Sequence, residues 1–220
     1  MLALELIVND IPSLKTSDPG LFALSLMDEY RVGHLPIVNN KDFLGLISED
    51  DILALDAPEE SIGAHKLSLV KPFVYEQQHI YEAIRLTAEL KLTMVPVLKQ
   101  DGVYSGQILL ADLAQAFSNL ASLHEPGGIL ILELNHNDFS MSEVAQIIES
   151  NDARILSSYL GIHPDSTKID LTLKINRTDL SRVIQTFDRY DYTIKASYSE
   201  NRFSDDWNDR YDEFINYLNM

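Results

Sequence analysis

The apolar positions of the chain fall into short runs, and the spacing within each run predicts its element. Leu21, Leu24 and Leu26-Met27 recur at helical spacing, with Asp18-Pro19 just ahead as a helix start. Gly33 is read as the end of that helix. Leu35 to Val38 is a short β-run, Asn39-Asn40-Lys41-Asp42 a polar turn, and Phe43 to Ile47 a second strand. Ser48 is placed as an N-cap, with Glu49, Asp50 and Asp51 in the first turn, where carboxylates suit the helix dipole. Residues 1–11 alternate weakly (Leu2, Leu4, Leu6, Val8), as an edge strand or a short turn would.

After the linker Asp56-Ala57-Pro58-Glu59-Glu60 the pattern begins again at an offset of about 60 residues. Pro12 falls on Pro72, Leu14 on Val74, Ala23 on Ala83, Leu26 on Leu86 and Pro36 on Pro96. One extra residue in the turn Lys99-Gln100-Asp101-Gly102 then moves Gly45 onto Gly106, Ile47 onto Ile108 and Asp51 onto Asp112. A turn is where a repeat tolerates an insertion.

His124-Glu125-Pro126-Gly127-Gly128 breaks the pattern, and a different one follows. Ile129–Leu134, Ala153–Leu160, Asp170–Ile175 and Tyr192–Tyr198 read as strands. Ser140-x-x-Glu143 opens one helix as a capping box, and Asp179 caps another that carries Val183, Ile184 and Phe187. The order is βαββαβ, a ferredoxin-like half-sandwich. In the tail, Trp207, Tyr211, Phe214, Ile215 and Leu218 share a helical face, suited to docking on its own domain or on a partner. The fold class is α/β (α+β), in four parts: residues 1–60 and 61–122 as repeats, 123–198 as the half-sandwich and 199–220 as an amphipathic helix.

Composition narrows the chemistry. The 220 residues carry no cysteine, which removes disulfides, thiolate metal sites and a cysteine nucleophile, and fits a reducing, cytoplasmic setting. No apolar run approaches the ~20 residues of a membrane helix, and the acidic N-terminus does not read as a signal peptide. The net charge of −17 opposes nucleic acid, so any anionic ligand must find local cations, such as Arg31, His34 and Lys41. The six histidines form no His-x-His pair and no His-Glu-x-x-His helix, so no metal site is expected. No glycine-rich phosphate loop or nucleophile elbow nominates a catalytic residue, and the chain reads as a non-enzyme.

The duplication resembles a pair of CBS repeats, the tandem known as a Bateman module. The resemblance rests on the helix before Gly33, on Pro36 in the strand, and on Gly45-x-x-Ser48-x-x-Asp51. The second repeat keeps Gly106 and Asp112 but has Leu109 in place of the hydroxyl. Residues 128–198 resemble an ACT domain in topology, although Asn137-Asp138-Phe139-Ser140 lacks the glycine that commonly follows the aspartate. The whole order is similar to bacterial CBS–ACT proteins around acetoin utilisation.

Such a resemblance implies a regulatory sensor with an adenine nucleotide (AMP, ADP, ATP or a relative) as ligand and no required cofactor. A helix start offers N–H groups to phosphates, and an ionised aspartate one turn in can hold two ribose hydroxyls. The candidate ligand-binding residues are Ile11, Pro12, His34, Leu35, Pro36, Ser48 and Asp51, with Pro72, Val95, Pro96 and Asp112 in the second repeat. The first site is expected to be the better one, since Leu109 removes a hydroxyl from the second. Partners are expected to be a second copy of the chain and an unidentified regulated protein, without nucleic acid or membrane. The alternatives are a structural or partner-binding module with vestigial pockets, and an amino-acid sensor acting through the ACT-like part.

Overall fold

The computed structural model describes residues 1–66, 69–135, 139–162 and 167–199. Two compact units divide the chain, Met1–Ala116 and the residues from Phe117 onward.

In the first unit a 3-10 turn at Ala3–Leu6 precedes α1 (Gly20–Tyr30), β1 (His34–Asn39), β2 (Asp42–Ser48) and α2 (Glu49–Leu53). The second repeat supplies β3 (Val74–Tyr75), α3 (Ile80–Leu90), β4 (Met94–Leu98), β5 (Tyr104–Leu109) and α4 (Leu110–Leu120). Each repeat builds the same ladder. β1 pairs antiparallel with β2 while Leu14 bridges Ile37 in parallel; β4 pairs antiparallel with β5 while β3 lies parallel to it through Val74 and Val97. Both hairpins shift register at the same place, between Ile37 and Val38 and between Val97 and Leu98. The extra residue of the second repeat sits in the β4–β5 turn, where Gly102 has φ +85°.

The repeats exchange arms. Val8, early in the first repeat, bridges Gln107 of β5; Val70, early in the second, bridges Leu46 of β2. Residues 1–11, expected to form an edge strand or a short turn, contribute a 3-10 turn and two isolated bridges, Leu2 to His79 and Val8 to Gln107. One core serves both halves, since Leu35, Ile37, Ile47, Met94, Val97 and Ile108 are wholly buried in a common cluster.

The end of α1 differs from expectation. Arg31, not Gly33, is the left-handed C-cap, at φ 54° and ψ 47°. Its N–H turns back to the carbonyls of Met27 and Asp28, closing the helix two residues early. Lys91 does the same for α3 at φ 53°.

The second unit has β6 (Gly128–Asn135), α5 (Met141–Glu149), β7 (Ile155–Ile162), β8 (Lys168–Ile175), α6 (Ser181–Arg189) and β9 (Thr193–Tyr198). The strand order β7-β8-β6-β9, all antiparallel, is the ferredoxin-like βαββαβ arrangement. Leu130, Leu132, Leu171, Leu173 and Ile175 pack against Val144, Ile148, Val183 and Phe187 of the two helices. Ser140 accepts the Glu143 N–H at the start of α5, and Asp179 accepts the Ser181 N–H at the start of α6. The expected tail helix and its Trp207 face lie outside the described residues, as does Asn137-Asp138 of the ACT-like loop.

Candidate nucleotide cleft

Two strand-to-helix junctions form the candidate site, and they meet where β1 and β4 begin. In the first repeat the Glu49 N–H donates to the Gly33 carbonyl at 3.0 Å; in the second the Leu110 N–H donates to the Thr93 carbonyl at 3.0 Å. Gly33 and Thr93 are equivalent positions, and they touch: the Gly33 N–H donates to Thr93 Oγ1 at 3.1 Å. The junctions are therefore related by a local pseudo-two-fold that passes between them.

Their chemistry differs. Ser48 caps α2, accepting the Asp51 N–H on Oγ at 3.1 Å, while its own N–H donates to Asp51 Oδ2 at 2.9 Å. The hydroxyl of Ser48 also donates to the same Oδ2, at 2.7 Å. This closed capping box engages both groups that were expected to meet a ligand. With Glu49 N–H held by Gly33, the five-residue α2 keeps few free donors at its start.

At the second junction Leu109 has no acceptor for the amides of Ala111 and Asp112. Asp112 Oδ2 is buried and has no hydrogen-bond partner among the described residues. A buried carboxylate oxygen without a partner is costly, and such a group calls for an explanation. The two junctions thus differ: Asp51 Oδ2 is held by the Ser48 cap, whereas Asp112 Oδ2 has no such partner.

The other candidate residues sort by burial. Leu35 and Val95 are wholly buried, so what they can present is backbone and not side chain. Pro36, Pro72 and Pro96 are buried as well, and the Pro36 carbonyl accepts the Leu14 N–H at 2.8 Å. Pro12 is exposed beside buried Ile11. Lys41 lies at the far tip of the β1–β2 hairpin, with the whole of β2, about 20 Å at about 3.4 Å per strand residue, between it and Ser48.

His34 opens β1 at the repeat junction. Thr93 N–H donates to His34 Nδ1 at 3.3 Å, and Thr93 Oγ1 lies 3.1 Å from the same nitrogen. Burial holds the imidazole pKa below its ordinary 6.5, and the carboxylates of Asp51 and Asp50 only partly offset this. His34 is accordingly neutral at pH 7 and is not the phosphate cation expected of it.

Two polar residues of β5 were not anticipated. Gln107 is buried in β5 where the first repeat has Leu46; its Nε2 donates to the Ile11 carbonyl at 2.8 Å. Tyr104 donates its hydroxyl to Gln107 Oε1, and burial raises its pKa. The break in the apolar run of β5 was the signal. Arg31 lines a cavity of about 490 Å³ at the first junction, with Asp28, Gly33, Glu49 and Leu53. Among the described residues no group of three or more His, Asp or Glu is placed to hold a metal, and no helix is long and apolar enough to cross a membrane.

Among solved structures, the chain is similar to a CBS domain pair/ACT domain protein from Thermotoga maritima, with 25% identity over 54% of this chain and 98% of that one, at a TM-score of 0.49. It is also similar to CBSX2 in complex with AMP, at 23% identity over 54% and 96% of the two chains and a TM-score of 0.45. A third is the CBS domain of the bacterial CNNM/CorC family Mg2+ transporter in complex with ATP, at 15% identity over 52% and 85% and a TM-score of 0.42. Residues 3–57, which span the first repeat, match the family model of the CBS domain.

Proposed function

We propose that the first unit is a sensor that binds an adenine nucleotide between its two repeats, without catalysis. The observation that carries this reading is Asp112: a buried, unpartnered carboxylate oxygen one turn into an eleven-residue helix. Once uncovered by a shift of its neighbours, such an oxygen accepts hydroxyl hydrogens, as from a ribose, while the uncapped amides of Ala111 and Asp112 receive an anionic group from the same ligand. The CBS domain match at residues 3–57 supports the same reading.

Ile11 and Pro12 would flank the base, and Ser48 and Asp51 would enter only if their mutual hydrogen bonds opened. Bound across the junction, the nucleotide favours one relative setting of the repeats, which is regulation if the two settings differ in affinity for it. A dimer through the ACT-like unit, and a regulated protein beyond it, complete the proposal.

A thermal-stability screen with AMP, ADP and ATP tests it. A specific ligand at a hundredfold excess over its Kd adds about 2.7 kcal/mol. A chain acting only as a scaffold gives no shift with any of them.

A further inference from the structure

The contact between His34 and Thr93 joins residues 59 positions apart, one from each repeat. Thr93 makes three links there. Its hydroxyl oxygen accepts the Gly33 N–H at 3.1 Å and lies 3.1 Å from His34 Nδ1, and its own N–H donates to that nitrogen at 3.3 Å. An amide can only donate, so Nδ1 must carry a lone pair, and the neutral ring holds its proton on Nε2.

The contact occurs on one side of the pseudo-two-fold only. The positions equivalent to His34 and Thr93 are Met94 and Gly33, which have neither an imidazole nor a hydroxyl. The groups that face the ring are the carboxylates of Asp50 and Asp51 from the start of α2, and the amide and hydroxyl of Thr93 from the second repeat.

We infer that His34 and Thr93 form a proton-operated latch between the repeats, closed by the neutral imidazole and opened when Nδ1 takes up a proton. Once Nδ1 bears hydrogen, the Thr93 hydroxyl can turn and accept from it, but the Thr93 N–H faces another N–H and loses its partner. The attachment of β4's first turn to β1 is then weakened. The sign follows from burial, which lowers the folded pKa below 6.5. The latch contributes fully above pH 6.5 and is lost as pH falls from there toward the folded value.

The test is made on the full chain without nucleotide, so it stands apart from ligand binding. Long-range proton–nitrogen NMR of the His34 ring is recorded from pH 8 to pH 5, together with the Thr93 amide. At pH 8 the latch requires an unprotonated Nδ1 and a protonated Nε2. On acidification the ring and the Thr93 amide must move with one shared midpoint below 6.5. A parallel melt series requires that the fall in melting temperature between pH 7.5 and 5.5 be smaller in Thr93→Val and His34→Gln than in the native chain. A protonated Nδ1 at pH 8, a His34 midpoint at or above 6.5, or a Thr93 amide indifferent to the ring overturns the inference. The wild-type spectra decide the matter even if a variant fails to fold.

Discussion

Leu69 lies so close to Gly45 that a Cβ added to the glycine would stand 2.6 Å from the Leu69 Cβ. The same contact recurs in the other repeat, where a Cβ on Gly106 would stand 2.5 Å from Ile7 Cγ2. Each glycine admits the arm that arrives from the other half. Gly45→Ala and Gly106→Ala are therefore expected to destabilise the first unit by about 1–3 kcal/mol each, the usual cost of overpacking. Urea melts check this. Gly102→Ala meets no atom within 4 Å but has φ +85°, so it costs backbone strain alone.

Ser48→Ala removes the acceptor for the Asp51 N–H and one of two hydrogen bonds to Asp51 Oδ2, while the backbone N–H of residue 48 keeps the other. A loss of about 1 kcal/mol in stability is expected, as for other N-cap truncations. If the nucleotide also uses the first junction, the more loosely held Asp51 raises affinity there. Calorimetry on the variant reads both effects.

Arg31 and Lys91 hold left-handed conformations that cost a residue with a side chain about 1 kcal/mol. Replacing either with glycine is expected to raise stability by a few tenths to about 1 kcal/mol. Thermal melts of Arg31→Gly and Lys91→Gly check the expectation. A loss instead would mean that the side chain makes a contribution of its own.

Gln107→Leu restores the residue type of the first repeat but leaves the Ile11 carbonyl and the Tyr104 hydroxyl without their partner. About 2 kcal/mol of destabilisation is expected, since unsatisfied buried groups cost 1–3 kcal/mol. Hydrogen exchange at Val8 would rise, because its bridge to Gln107 tethers the same arm.

The duplication was legible because equivalent residues keep an offset of 60 up to the hairpin turn and 61 after it. Pro36 and Pro96, or Gly45 and Gly106, needed no coordinates to be paired. The half-sandwich was legible from its alternating strands and capped helices. The α1 terminus was misread because glycine is the commoner left-handed residue, and Arg31 took the position two residues earlier. The state of the site was not legible. Ser48 and Asp51 carry the spacing of a ligand site and of a capping box alike, and only geometry shows the box closed. The His34–Thr93 link depends on how two repeats pack, which no local pattern encodes.

The central claim is that a nucleotide completes the open junction at Asp112. Isothermal calorimetry of the native chain and of Asp112→Asn, with AMP, ADP and ATP up to about 1 mM, tests it most directly. The account predicts saturable heat with at least one of them and a tenfold or greater loss of affinity in the variant. Absence of heat with all of them, or equal affinity in Asp112→Asn, would contradict it.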